Sequence, residues 1–298
     1  RTGGGESVNN VIFLIIIAAI GGGSNAPFAK AALGAFQPFT IVFMRFLIAS
    51  LALLPLIRRR GEINLRAMRE LLPVALIGSL NPILLFIAMQ FTQASVAPLI
   101  YAAVPLMTAL YLHFFRGRKI AAGKILGIVL GFAGVAIIIL LPFLQQGDKD
   151  FRRFGGNLLI LGAAVAFMIY GILSSDRQQR LQITPLALTY SFVLVTMILC
   201  IPFAIFEIIR WPLDPSGIRA SHILATIGTG LLGTAIFYMA YQKAIQLASE
   251  VTASLFTYLQ PIATIIFAVI LVGEAITLPF VIGGTLAVIG AGMATNKT

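Results

Sequence analysis

Apolar runs of about 20 residues, long enough to cross hydrocarbon as helices, follow one another along almost the whole chain. The pattern predicts ten membrane-spanning helices, at 8–29, 38–57, 71–90, 94–115, 125–143, 155–175, 185–206, 222–242, 251–272 and 277–294. Short charged or turn-forming stretches separate them: RRRGEINLRAMRE after the second span, RGRK after the fourth, QQGDKDFRRF after the fifth and SDRQQR after the sixth. The first run has the length of a spanning helix rather than of a cleavable leader.

The pattern also repeats. Pro105, Gly117, Gly127 and Gly134 return as Pro261, Gly273, Gly283 and Gly290, each 156 residues later and without a gap. The third and eighth spans repeat with a shift of 152, marked by Gly78/Gly230 and Gln90/Gln242. Shared leucine is cheap in an apolar chain, but shared proline and glycine fix backbone shape. Five spans per half is an odd number, so the second half enters the bilayer upside down. The expected fold is therefore an all-α integral membrane protein: two inverted five-helix repeats, 8–143 and 155–294, around a central cavity, in one transmembrane domain over 1–298. Inverted repeats are an architecture of secondary transporters, with the site near the midplane between the halves.

Composition agrees. With 59% hydrophobic and 10% charged residues and a mean hydropathy of +0.99, the chain is no ordinary soluble domain. The net charge of +11 would suit a nucleic-acid partner, but its distribution argues for topology determinants instead. With the N-terminus inside, fourteen Lys and Arg fall on cytoplasmic segments, among them Arg58, Arg59, Arg60, Arg116, Arg118, Lys119, Arg177 and Arg180. Six fall outside: Lys30, Lys149, Arg152, Arg153, Arg210 and Arg219. This bias places both termini in the cytoplasm. Trp211, beside Arg210 at an outer helix end, suits an interfacial anchor, and the single cysteine, Cys200, sits in an apolar run as inert packing.

The fifth and tenth spans read as scaffold: Gly127/Gly131 and Gly283/Ala287 are small-residue pairs suited to close helix contact. The fourth and ninth spans carry chemistry. Pro98, Tyr101, Pro105 and Thr108 form one stripe, and the repeat register maps them onto Ser254, Thr257, Pro261 and Thr264, with Tyr258 and Gln260 broadening the second stripe. In the eighth span Thr234, Tyr238 and Tyr241 run along one face. The run GGGSNAPF in the first span suggests a bend or partial break. The residues expected to contact a substrate are Asn25, Asn81, Tyr101, Tyr170, Tyr238, Ser254, Thr257, Tyr258 and Gln260. Together they would make a mostly apolar pocket with a few orienting polar groups. Arg45 lies inside the second span with no acid in any span to pair with. Two roles are open to it, binding a substrate carboxylate or bonding backbone carbonyls, and the second is expected. All ten acids lie in loops or near helix ends, and His113 and His222 are far apart, so the chain offers no metal set, no Cys/His nucleophile pair and no P-loop. Neither a cofactor nor a metal is expected.

The stretches FMRFLIASLALL, ASVAPLIYAAVPLMTALY and, above all, YMAYQKAIQLASEVTASLFTYLQPIATIIFAVILVGEAIT resemble the EamA branch of the drug/metabolite transporter superfamily. The likeness covers the chain from about residue 8 onward and is strongest through Gly273-Glu274; the first half departs from it at Gly117-Arg118. The overall look is most similar to the bacterial YddG-type amino-acid exporters. The resemblance implies ten helices in two inverted repeats, a central cavity bordered by the first, third, fourth, sixth, eighth and ninth spans, and export of amino acids or other small metabolites.

The expected function is therefore export of amino acids, aromatic and other neutral ones, across a bacterial inner membrane by alternating access without ion coupling. The partners would be a small-molecule substrate and membrane lipid, with no nucleic acid. Export of another small metabolite or an amphipathic drug is the alternative. A membrane-embedded enzyme would need an intramembrane acid, a His cluster or a nucleophile–base pair, and the spans contain none.

Overall fold

The computed structural model describes residues 3–61, 65–117 and 148–273, with isolated positions within 126–137 and 278–289. The expected fifth and tenth spans, with the Gly127/Gly131 and Gly283/Ala287 pairs, lie largely outside the described residues. Among those that are described, eight helices are long and apolar enough to cross a membrane, and there is no strand. They are α1 (Gly3–Ala32), α2 (Pro38–Arg60), α3 (Leu65–Ala88), α4 (Val96–Arg116), α5 (Asp148–Leu181), α6 (Pro185–Arg210), α7 (Ala220–Leu247) and α8 (Glu250–Val272). The first four coincide with the first four predicted spans, and α5 to α8 with the sixth to the ninth.

Local signals set several boundaries. The Thr184 hydroxyl accepts from Ala187 N at 3.1 Å, ahead of Pro185 at the first helical position of α6. Ser249 caps α8 in the same way, through Thr252 N at 3.1 Å. At the other end of α4 and α8, Gly117 and Gly273 take left-handed conformations, with φ of +66° and +63°. Their N–H groups close onto Leu112 O and Ala268 O, positions that are themselves 156 apart. The recurring glycines are thus matching helix stops. The N-terminus of α2 lacks a cap from its own side chain; Glu207 of α6 supplies it, accepting from Phe39 N (3.1 Å), Thr40 N (2.7 Å) and the Thr40 hydroxyl (2.9 Å).

Three helices are irregular inside the bundle. α4 is interrupted at Ala102 and Ala103, and α8 at Leu255. α7 contains a π-helical stretch, Leu231–Ile236, where the Thr234 hydroxyl donates to Thr229 O five residues back at 2.7 Å. The expected break in the first span is not found. α1 stays helical through Pro27, and its glycines serve close packing instead. A Cβ on Gly21 would stand 2.7 Å from Leu232 O, and one on Gly23 would stand 2.7 Å from Ala263 Cβ.

The helix pairings share one regularity. α1 packs along α7 and α8, while α5 packs along α3 and α4; α2 lies against α6 and α7, while α6 lies against α2 and α3. Exchanging each helix for its repeat partner returns the same set of pairs. Phe46, Phe86, Phe167, Tyr170, Phe192, Tyr238 and Tyr241 are fully buried at the centre. Phe203, Phe206, Ile209, Leu224, Ile262 and Ile270 are exposed on the outside. So broad an apolar surface is a liability in water and the natural face toward lipid.

Candidate functional site

Helices from both halves enclose a central cavity lined by Asn25 of α1, Arg45 of α2, Asn81 of α3, Tyr101 of α4, Phe167 of α5, Phe237 and Tyr238 of α7, and Phe256 and Gln260 of α8, with Gly22, Ala26, Leu85 and Ala97 between them. Gly22 leaves room for this wall: a Cβ there would stand 3.2 Å from both the Phe237 and Phe256 rings.

Two polar clusters face the space. In one, the Asn81 amide donates to the Tyr101 hydroxyl and, at 2.9 Å, to Ala163 O, while the Tyr238 hydroxyl donates to Asn81 Oδ1 at 3.2 Å. One amide therefore holds tyrosines from the two halves. In the other, Gly233 O of the π-helical stretch stands behind the wall and accepts from two wall residues, Asn25 through Nδ2 and Arg45 through Nη2, both at 2.9 Å. Arg45 Nε donates to the Thr234 hydroxyl at 2.8 Å. The guanidinium also lies 4.9 Å from the Phe86 ring centre and 5.2 Å from that of Phe46. A Cβ at position 233 would run into Asn25 Oδ1, so any side chain there would displace the Asn25 amide.

What these clusters leave open is as informative. Arg45 is 1% exposed, and no carboxylate pairs with it among the described residues. Asn25 Oδ1 and Gln260 Oε1 are buried acceptors without a hydrogen-bond partner among the described residues. An unmet acceptor in a low-dielectric interior costs about 1–3 kcal/mol, and an uncompensated charge costs more. Among the described residues, the site thus holds one cation without a carboxylate and two acceptors without a donor. Around them the aromatic rings interlock: Phe237–Phe256 centroids are 5.2 Å apart with the rings inclined at 71°, Phe167–Tyr241 4.9 Å, and Tyr238–Phe192 4.5 Å. The free space is about 30 Å³, room for a water or two. Any larger ligand requires the aromatic wall to move.

Of the nine residues singled out from sequence, Asn25, Asn81, Tyr101, Tyr238 and Gln260 line this cavity. Tyr170 stands one layer behind, its ring 5.9 Å from that of Tyr238. Ser254 and Thr257 are buried, but their hydroxyls return to Val251 O (2.7 Å) and Ser254 O (2.8 Å) of their own helix. Tyr258 is half-buried and outside the lining. Thr264, on the same stripe, reaches Gly23 O at 2.9 Å and so ties α8 to α1. Arg45 bonds a backbone carbonyl, the role expected of it, and also lines the cavity, where the other role left open by the sequence would be exercised. Phe167, Phe237 and Phe256 were missed. Each lies within three residues of a polar position already chosen, and that proximity was the available signal. Among the described residues no group of His, Cys, Asp or Glu is placed to hold a metal ion.

Similar proteins agree with this architecture. An uncharacterized transporter of Clostridium kluyveri is 27% identical over 87% of this chain and 83% of its own length. The uncharacterized transporter YyaM of Bacillus subtilis is 25% identical over 94% and 92%. A WAT1-related protein of Arabidopsis thaliana is 22% identical over 82% and 77%. A solved crystal structure shares the fold, with a TM-score of 0.63 at 20% identity over 97% of both chains. The model of the EamA-like transporter family matches residues 9–140 and 154–296, nearly the whole sequence. This multi-pass membrane protein therefore belongs to the EamA-like transporter family.

Proposed function

We propose that the chain exports amino acids, aromatic and other neutral ones, in the manner of the YddG-type exporters, by alternating access and without ion coupling. The observation that carries this reading is the set of unmet groups in the central cavity. A zwitterion supplies what each one lacks. Its carboxylate neutralises the Arg45 guanidinium, whose planar donors suit a carboxylate. Its ammonium bonds Asn25 Oδ1 and Gln260 Oε1, and its side chain enters among Phe167, Tyr238, Phe237 and Phe256. Aromatic faces add about 0.5–2 kcal/mol for a stacked ring or a nearby cation. Asn81, Tyr101 and Tyr238 border that volume; Tyr170, Ser254, Thr257 and Tyr258 act behind it.

The remaining architecture follows the same reading: ten spans, two inverted halves (8–143 and 155–294) and both termini cytoplasmic in a bacterial inner membrane. The exchange symmetry of the helix pairings, the matching stops at Gly117 and Gly273, and the two stretches matched by the family support it. The experiment is transport by the purified protein in proteoliposomes. L-Phenylalanine and L-leucine are expected to move, and phenethylamine and phenylpropionate, each lacking one charged group, are expected to move at least about tenfold more slowly, as loss of one charge-assisted contact implies. Arg45→Gln should abolish the preference for a carboxylate. Equal transport of phenethylamine and phenylalanine would overturn the reading.

A further inference from the structure

A second cavity, of about 260 Å³, opens where α4, α5 and α8 end together, and Arg116, Ser175, Asp176, Gln179 and Glu250 line it. Arg116 Nη2 meets Asp176 Oδ2 at 2.5 Å, tying α4 to α5. The Ser175 hydroxyl donates to Glu250 Oε2 at 2.8 Å, tying α5 to α8, and Gln179 Nε2 reaches Ser175 Oγ at 3.2 Å. The same three helices carry Tyr101, Phe167 and Gln260 of the central cavity, roughly 12–22 Å further along at 1.5 Å per residue. This is the arginine-rich end, with Arg177 and Arg180 beside it, which the charge bias assigns to the cytoplasm.

The arrangement combines three properties. The space is much larger than the central cavity, its wall is polar, and it presents one cation with two carboxylates at different helix ends. The groups that close the three helices together are therefore the groups that a zwitterion recognises. We infer that this mouth is an entry site for amino acids, where the substrate carboxylate takes Arg116 and its ammonium takes Asp176 and Glu250, so that loading releases the ties between α4, α5 and α8. The inference rests on the amino-acid reading of the central cavity and on the orientation given by charge bias.

Gln179 is exposed in the wall, and Cys200 is buried. In a Gln179→Cys protein with Cys200→Ala, the readout is the rate of modification by an impermeant thiol reagent applied to inside-out vesicles. L-Phenylalanine should slow it several-fold. The protection should survive Arg45→Gln, which disables the central cavity, while with Arg116→Gln the half-protecting concentration should rise at least tenfold. Arg116→Lys, which keeps the charge, should restore it and guards against a folding defect. Protection that disappears with Arg45→Gln but persists in Arg116→Gln would place the amino acid in the central cavity and overturn the entry site. Transport of phenylalanine with no protection at all would sink the entry site while leaving the amino-acid reading standing. A protein that neither transports nor is protected by any amino acid would sink both.

Discussion

Asn81 concentrates the interactions of the site on one small side chain. It holds Tyr101 and Tyr238 from opposite halves and anchors to Ala163 O. Asn81→Ala leaves two buried hydroxyls without that partner, for about 1–3 kcal/mol of stability, and should lower the thermal midpoint of purified protein as well as transport. Tyr238→Phe drops a single bond and keeps the ring, so transport should fall by less than about fivefold, in line with roughly 1 kcal/mol for one neutral hydrogen bond. Tyr238→Ala and Tyr101→Ala remove ring contacts too and should cut transport about tenfold or more at unchanged membrane abundance. If both alanine variants transport normally, these tyrosines are packing. The polar members of the site were legible in the sequence because a polar side chain inside an apolar run is rare and must be satisfied. Phe167, Phe237 and Phe256 were not, since the chain has 22 phenylalanines and identity alone does not separate a cavity wall from a lipid face. Ser254 and Thr257 misled for the opposite reason: a hydroxyl in a helix can satisfy itself on the preceding turn.

Element by element, the repeated glycines divide into two physical kinds. Gly117 and Gly273 stop α4 and α8 in a left-handed conformation. Gly273→Ala should therefore cost about 1–2 kcal/mol, read as a lower midpoint in thermal unfolding, although a Cβ there meets nothing within 4 Å. Gly78 and Gly230 serve contact instead. A Cβ on Gly78 would stand 2.7 Å from Tyr170 Cδ2, and one on Gly230 2.7 Å from Ile48 Cγ2. Gly78→Leu should thus reduce the yield of folded protein rather than alter selectivity, and a normal yield would show that the α3–α5 interface gives way more readily than its packing suggests. Both pairs were visible as a register in the sequence, because only glycine serves either purpose. The π-helical stretch of α7 was not: its apolar pattern is that of an ordinary helix, and the partners of the Gly233 carbonyl, Asn25 and Arg45, lie on other helices 208 and 188 residues away in sequence. The same contacts explain why GGGSNAPF did not break α1. Helix-weakening residues were placed where a neighbouring backbone comes close, and tertiary packing overrode local propensity.

On the scale of the whole molecule, orientation and energetics are open to direct measurement. Cysteines introduced within 58–69 should react only from the cytoplasm and those within 144–153 only from outside; reversed accessibility at both would invert the topology, and agreement on one side would deny the inversion. Proton-driven export usually needs a titrating group inside the membrane. Among the described residues the buried acid nearest to that role is Glu207, and it is committed to the α2 N-terminus by three hydrogen bonds. Substrate should therefore equilibrate across sealed proteoliposomes and not accumulate, whichever way a pH gradient is set. Accumulation abolished by a protonophore would reveal a coupling site. The near-absence of free space around Arg45 bears on a quite different property. A carrier that crossed the bilayer with a solvent-filled chamber would ferry water on every empty return, loading the cell with an osmotic leak. With about 30 Å³ left in the central cavity, an empty stroke of the proposed alternating-access cycle would move a molecule or two. Vesicles carrying it should shrink under osmotic shock no faster than vesicles of lipid alone.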